Sequence, residues 1–421
     1  MEGSYWQREA GWADRWLDHE GPRRVEFAII GGGLAGLSTA IRLREQHPAA
    51  NIIVLEAERV GWGASGRNAG FLSPLAAPVW LLGAHRNADH WWATSRLDHE
   101  LHAVAQWLST TVADSELAAA RYTMEGTGAV SDAGLREFAE ALDRVGVAHA
   151  LRSSVVRPAH LALEMTGYLV HPYRLVRGLA DHASRIGVRI RERARVRMLA
   201  AERAAARIQL ATGDDLVAER VVVCTNAYSS SLDVGERIRA LVIHAFMVAS
   251  DALDPGHGSA ITRSGDFTLE LDTAQAFHRM HGRRIVFGGG DRLLAPPGGD
   301  FAVPAGIHQA LSRQLSQRFG PIAGVEATAA WSGRFHATTT GLPIIRASKR
   351  TPAIVLNIGY GGTGVALTLA CSRLAAAVAS GGVFASDEDA RLLSIIHATS
   401  VPVLDGLRTI GRLASKLVRP R

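Results

Sequence analysis

The feature that most constrains this chain is a mostly apolar run, Val25–Ile30, ending in Gly31-Gly32-Gly33. A helical period follows over Leu34–His47, with Leu34, Leu37 and Ile41 on one face and Pro48 beyond its end. Asn51–Leu55 is a second apolar run, so the unit reads as strand, tight turn, helix, strand. The turn carries Gly31-x-Gly33-x-x-Gly36, and Glu56 ends the second strand about twenty residues past Gly36. Gly31 permits the tight turn, Gly33 lets a pyrophosphate approach the backbone, and Gly36 lets helix and strand pack closely. Leu34 and Ala35 open the helix, whose free N–H groups and positive dipole end face the phosphates. Glu56 can accept hydrogen bonds from ribose hydroxyls. A lone GxGxxG is weak evidence, and a glycine-rich turn in another α/β fold is the simpler alternative. Such a turn has no need of strand, helix and acid in register.

A chain of 421 residues is too long for one hydrophobic core, so two or three units are expected. Two cysteines, Cys224 and Cys371, exclude a disulfide scaffold and a cysteine-based metal centre. The 17 histidines show no HExxH or HxH pairing, so no metal site is expected. The net charge is +6, but the basic residues are scattered, which speaks against nucleic-acid binding. One exception is the tail, where Arg408, Arg412, Lys416, Arg419 and Arg421 alternate with Leu407, Ile410, Leu413 and Leu417. A terminal helix docked on the body accounts for that pattern better than a membrane-surface helix. The uncharged stretches Asn68–Ala84 and Thr351–Ser372 are broken by Pro or Gly, so no transmembrane helix is expected. The acidic, Trp-rich opening lacks the apolar segment of a signal peptide, and a cytoplasmic location is expected.

Further along, Tyr173–Ile186 reads as helix, and Arg195–Leu199, Ala206–Leu210 and Ala218–Cys224 as hairpin strands leading back to a buried one. Ala353–Ile358 reads as a buried strand and Thr363–Ser380 as one long helix. These pieces are α/β in type. Two intervening stretches differ: one is helix-rich with a strand near Tyr122–Val130, the other a set of short alternating strands including Phe267–Leu271, Phe277–Met280 and Ile285–Gly289. The expected division is a discontinuous α/β domain of residues 1–80, 150–240 and 328–421, with an α+β second domain of residues 81–149 and 241–327 inserted in two parts. Two Gly-rich loops complete the α/β part. Val60–Gly70 reads VGWGASGRNAG, and Gly359-Tyr360-Gly361-Gly362-Thr363-Gly364 lies between a strand and a helix. Two backbone-donor surfaces suit a long cofactor with a pyrophosphate at one end and a ring that gains negative charge on reduction at the other.

With these motifs the chain resembles the FAD-dependent amine and amino-acid oxidase superfamily of the D-amino-acid oxidase type, which includes glycine oxidase and sarcosine oxidase. Within it, the gamma-glutamylputrescine oxidoreductase-like branch is nearest. The resemblance is carried by Phe27–Gly36, Glu56, Val60–Gly70, the HPYRLVRGLA stretch from His171, Val221–Ala227, Arg284–Gly290, Trp331–Pro343 and Gly359–Gly364. It implies a Rossmann-type FAD-binding domain of the glutathione-reductase-like kind, roofed by a substrate domain of mixed sheet and helices. Gly31, Gly33, Gly36 and Glu56 would hold the ADP half. Ala64, Ser65, Gly66, Arg67 and Asn68 would pass beside the pyrophosphate and the isoalloxazine. Val196 would meet adenine through its backbone, and Thr225 and Asn226 would follow the strand flanking the ADP. Gly361, Gly362, Thr363 and Gly364 would face the pyrimidine end of the flavin.

Three departures shape the functional expectation. Relatives that attach flavin covalently use a Cys or His where this chain has Gly333 and Arg67, so FAD is expected to be non-covalent. Glycine-oxidase-like relatives place a carboxylate-binding Arg where this chain has Phe335, although Arg334 is adjacent. Sarcosine-oxidase-like relatives carry a Lys near the flavin for dioxygen, and Arg284–Gly289 has none. The expected activity is oxidation of a C–N bond in a small amine, with Tyr360, His336 and Arg334 as pocket residues and dioxygen or another acceptor taking the electrons. Packing accounts equally well for Tyr360, and a strand position bonded to backbone for His336. Trp331 is expected in the core. The alternatives are an amino-acid oxidase or dehydrogenase of the glycine or D-amino-acid type, a flavin monooxygenase, and a non-catalytic flavoprotein subunit docked through its Trp-rich start or basic tail.

Overall fold

The computed structural model of the protein describes residues 3–17, 22–74, 88–234, 236, 238, 240–262, 265–271, 276–293, 302–338 and 340–398. The basic tail lies outside the described residues, as does part of the Asn68–Ala84 stretch. The elements begin with α1 (Tyr5–Glu9), β1 (Arg24–Ile30), α2 (Leu34–Gln46), β2 (Ile52–Leu55), β3 (Phe71–Leu72), α3 (Ala88–Thr111), β4 (Ala118–Glu125) and α4 (Ala129–Val145). They continue as β5 (His149–Ser153), β6 (Leu161–Leu169), α5 (Pro172–Arg185), β7 (Arg189–Arg191), β8 (Val196–Glu202), β9 (Ala205–Leu210), β10 (Asp215–Val223) and β11 (Leu241–Ser250). Then come α6 (His257–Ile261), β12 (Phe267–Glu270), β13 (Phe277–His281), β14 (Arg284–Leu293), α7 (Ala305–Ala323), β15 (Ala327–Ala337), β16 (Ile344–Ala347) and β17 (Ile354–Ile358). The last described helices are α8 (Gly364–Ala370), α9 (Ser372–Ala379) and α10 (Asp387–Ala398).

The first sheet runs β16-β17-β10-β1-β2-β7, with the β8–β9 hairpin paired onto β10. β17, β10, β1, β2 and β7 are parallel, and β16 runs against β17 at the edge. Its central strands are continuous apolar runs because both faces are covered. Phe27, Ile29, Ile52 and Val54 pack on the side of α2, while Ala28, Ile30, Ile53 and Leu55 pack toward the hairpin. Full burial of a side chain such as Ile29 is worth about 2 kcal/mol. β2 and β10 leave the two sides of β1, so the carboxyl end of β1 is the crevice where ligands bind in open α/β sheets.

The second sheet runs β15-β11-β14-β13-β12-β4-β6-β3, with β5 on β6. Its membership differs from the boundaries expected from sequence. β3, all but one residue of β5, β6 and nearly all of β15 lie in stretches assigned to the first domain, yet they pair here. Pairing over such separations is chosen by tertiary packing, which local apolar patterns do not record. The strand near Tyr122 ends at Glu125, and helix begins at Ala129. The helix expected over Thr363–Ser380 is broken at Cys371, with its halves bent by 66°. The Thr368 hydroxyl donates to the Gly364 carbonyl and the Ser372 hydroxyl to Leu369, and such back-bonding competes with the helical ladder. Among the described residues no single helix is long and apolar enough to cross a membrane.

Candidate active site

At the carboxyl end of β1, Gly31 sits at φ 112°, a backbone conformation that favours glycine. A Cβ on Gly36 would lie 2.0 Å from the Gly31 carbonyl oxygen, so helix and turn touch backbone to backbone. Gly33 is the N-cap of α2 and supplies no side-chain cap. Ser65 takes over that role: its hydroxyl accepts from the Leu34 N–H at 3.0 Å, and a Cβ on Gly33 would meet it at 2.7 Å. Ala35 is held in the first turn, where its carbonyl accepts from the Thr39 hydroxyl at 2.7 Å. Glu56 accepts from the N–H groups of Gly32 at 2.7 Å and Glu58 at 2.9 Å. Loss of solvent outweighs those two bonds and pushes its carboxyl up to about 7.

That value gives a pH prediction. A ribose hydroxyl donating to Glu56 favours the ionised form, so nucleotide binding expels the proton that the free protein holds below pH 7. Affinity for FAD should therefore fall as pH drops from 8 to 6, by at most about tenfold per pH unit for one proton. Titration of apo-protein with FAD at several pH values checks this, with Glu56→Gln expected to flatten the profile.

The second loop folds around a short 3-10 turn, Ala64–Gly66. Asn68 holds the loop in shape: its side-chain amide donates to the Ala64 and Ser65 carbonyls, and its oxygen accepts from the Gly70 N–H at 2.8 Å. Arg67 is buried, donating from Nε to the Trp62 carbonyl at 2.7 Å and from Nη1 to the Ser332 carbonyl at 3.4 Å. Burial pulls its pKa down to about 10, so it stays cationic at neutral pH.

β15 lies against three turns at once: Ala64–Gly66, Asn226–Ser231 and Gly361–Thr363. Asn226, at φ 46°, joins two of them, because its side-chain oxygen accepts from the His336 N–H at 3.3 Å and the Gly359 N–H at 3.2 Å. The Thr225 hydroxyl is bonded to that of Ser229. Gly361 is at φ 61°, and a Cβ on Gly361 or Gly362 would meet nothing within 4 Å, which leaves space before Thr363 and Gly364 at the start of α8. Val196 has its side chain in the apolar cluster between sheet and hairpin.

Ser332, Arg334 and His336 alternate along β15 as buried positions, and Trp331 precedes them as another. Desolvation pushes His336 down to about 4, so it is a neutral imidazole at pH 7, with no hydrogen-bond partner for Nδ1. Arg334 and Arg67 both pull down the phenol pKa of Tyr228, though burial prevails and raises it. Both guanidiniums are thus within electrostatic reach of Tyr228. Trp331 is a core residue, as expected, and its indole N–H donates to the Arg67 carbonyl at 2.8 Å. The structure corrects the expectation for Tyr360. This residue is 3% exposed, and its hydroxyl donates to the Asn357 side chain inside the core, so no hydroxyl is offered to a substrate. Tyr228 and His244, whose Nε2 lies 2.8 Å from the Ser332 hydroxyl, were not legible in the sequence, because Tyr228 falls one residue past the Val221–Ala227 stretch and the strand of His244 carries no motif.

Glu116, His171 and His281 come close enough to share a metal ion. However, His171 Nδ1 accepts from the Arg174 N–H, which leaves the proton on Nε2 for Glu9 at 2.8 Å. Arg174 also pairs with Glu9 and Glu116, so this group is a hydrogen-bonded charge network.

The model of the FAD dependent oxidoreductase family matches residues 26–378. This chain belongs to that family. It is 27% identical over 374 residues to the probable oxidoreductase OrdL of Rhizobium meliloti (strain 1021), covering 86% of this chain and 84% of that protein. It is 24% identical over 393 residues to gamma-glutamylputrescine oxidoreductase of Escherichia coli (strain K12), covering 87% and 86%. Its fold is similar to that of glycine oxidase from Geobacillus kaustophilus, with TM-score 0.71 at 19% identity, covering 87% of this chain and 97% of that one. It is also similar to L-amino acid deaminase from Proteus vulgaris, with TM-score 0.72 at 15% identity, covering 91% and 99%. The protein is thus a flavoprotein oxidoreductase related to amine and amino-acid oxidases. The site's chemistry fits FAD: a side-chain-free approach at Gly33, a carboxylate at Glu56, open space at Gly361 and Gly362, and two buried cations.

Proposed function

We propose that this flavoenzyme oxidises a C–N bond in a small amine and that its FAD is held without a covalent link. When bound, FAD supplies the two-electron acceptor: the substrate's α C–H leaves as hydride while the nitrogen lone pair closes the C=N bond, and water later cleaves the imine to carbonyl and amine. The observation that carries the amine reading is Phe335 at the position where the resemblance places a carboxylate-binding arginine. The chain's own residues bind and orient. Arg67, with its Nε and Nη1 donating to backbone carbonyls, supplies fixed positive charge in the cofactor loop. His336 stays a neutral imidazole in its buried setting and so adds no positive charge to the pocket. The non-covalent link is supported by both thiols being buried and pushed up to about 12, too protonated to be nucleophilic.

A second reading, oxidation of an amino acid, is favoured by one observation: Arg334, next to Phe335 on β15, is a second buried guanidinium within electrostatic reach of Tyr228. Anaerobic mixing with a panel of amines and amino acids tests both. Primary or secondary amines with an apolar or extended body should bleach the flavin absorbance, with dioxygen or another acceptor restoring it. Acid precipitation should leave all the flavin in the supernatant as FAD. Flavin retained in the pellet refutes the non-covalent assignment, and no bleaching by any amine refutes the amine one.

A further inference from the structure

The residues before the family match form a second layer behind the cofactor loop. Ser4, Trp6 and Gln7 on and beside α1 are fully buried. Each donates to a different carbonyl of the Gly61–Gly70 loop: the Ser4 hydroxyl to Gly66 at 2.7 Å, the Trp6 indole to Asn68 at 2.8 Å, and the Gln7 amide to Gly61 at 2.9 Å. The same two polar side chains cap α1 through a reciprocal pair of bonds between Ser4 and Gln7, which fixes the donors' geometry. Further on, Glu192 accepts from the N–H groups of Arg15, Trp16 and Val60, tying this segment to the start of the same loop. The Ala13 carbonyl accepts from Arg177, and Asp14 pairs with Arg59 and Arg193.

The loop is therefore gripped from two directions. Ser65 lies against the Gly33–Leu34 turn, where a Cβ on Gly33 would meet its hydroxyl. The next residue, Gly66, lies against the N-terminal segment, where a Cβ would come within 3.2 Å of the Gln7 amide nitrogen and 2.1 Å of the Gly61 carbonyl oxygen. The segment's donors satisfy loop carbonyls for which no other partner is found among the described residues, so its removal leaves the loop free to choose other conformations. A preset loop binds its ligand more tightly than one that must be ordered on binding.

We infer that residues 4–16 form a strap that presets the Gly61–Gly70 loop for FAD, with Ser4, Trp6 and Gln7 as positioning residues. This rests on the reading that FAD lies along that loop. The test compares apo-protein from wild type, Ser4→Ala/Gln7→Ala, Ser4→Thr and Trp6→Phe, each titrated with FAD by flavin fluorescence. Melting temperatures are recorded with and without FAD. The double variant should raise the dissociation constant at least about tenfold, equivalent to about 1.4 kcal/mol. Ser4→Thr, which keeps the hydroxyl, should stay near wild type. Trp6→Phe removes the indole donor together with part of a fully buried ring, so its apo melting temperature is read beside its affinity; a loss of FAD affinity larger than the apo destabilisation decides the matter should the double variant fail to fold. Apo melting temperatures should change much less than those of the FAD-bound forms. Dissociation constants within twofold of wild type in Trp6→Phe and the double variant overturn the strap. Equal losses of apo and bound melting temperature overturn it as well, since the segment is then ordinary packing. Wild-type protein that takes up no FAD overturns the cofactor reading itself, a result distinct from either.

Discussion

Gly36→Ala should yield protein without flavin and with a greatly reduced melting temperature. The added methyl would lie 2.0 Å from the Gly31 carbonyl oxygen and 3.1 Å from Ile29 Cγ2. The first contact is with backbone, so no rotamer relieves it. Gly31 cannot move aside easily, because its φ of 112° is tied by its N–H to the Leu55 carbonyl at 2.8 Å. Separating α2 from β1 would pull Leu37 and Ile41 away from Ile29, at a cost of about 3 kcal/mol or more. Gly33→Ala makes the instructive contrast. Its methyl meets only the Ser65 hydroxyl, the end of a small side chain that can turn away. That variant should fold, lose the Ser65 cap on Leu34 and bind FAD weakly. The ratio of flavin to protein absorbance and a thermal melt separate the two variants. A yellow Gly36→Ala protein that melts like wild type would falsify the close-contact account of this turn.

The contrast also shows which parts of the molecule were legible from sequence. The β1–α2–β2 unit is local: its glycines, apolar period and terminal acid all act within about thirty residues, so the spacing encodes the geometry. The second Gly loop was equally readable as a turn, yet its Tyr360 was not. Whether a side chain beside a glycine faces a pocket or the core depends on what lies beneath the strand, here Asn357. Register in the second sheet was hidden for a similar reason. β6 joins β4, β5 and β3, and nothing local to Leu161–Leu169 says it leaves the first domain. The strap lacked a signal of its own, since a short Trp-rich stretch has no period long enough to reveal which carbonyls its donors will meet.

The last expected result concerns the substrate's carboxylate. An amine should reduce the flavin faster than the α-amino acid with the same body, by a hundredfold or more, on the order of 3 kcal/mol. Along β15 the side chains alternate, so Phe335 and Arg334 leave opposite faces. Gly333, on the same face as Phe335, lies beside Arg67, where a Cβ would come within 3.5 Å of the Arg67 Cβ. The position that would clamp a carboxylate by resemblance is thus apolar on the face toward that loop. Arg67 gives little compensation through hydrogen bonds, because its Nε and Nη1 donate to carbonyls. A carboxylate buried there without a bidentate partner keeps most of its desolvation cost. Arg334 approaches from the other face, near Tyr228, and is the one residue of β15 with the charge to offset that cost. Arg334→Leu therefore distinguishes the readings. If amines are the substrates, the variant should reduce with amines within a few-fold of the wild-type rate once FAD occupancy is matched. Anaerobic stopped-flow rates for an amino acid and its decarboxylated amine supply the comparison. An amino acid that outpaces its amine, and loses that advantage in Arg334→Leu, would make Arg334 the carboxylate clamp and the protein an amino-acid oxidase.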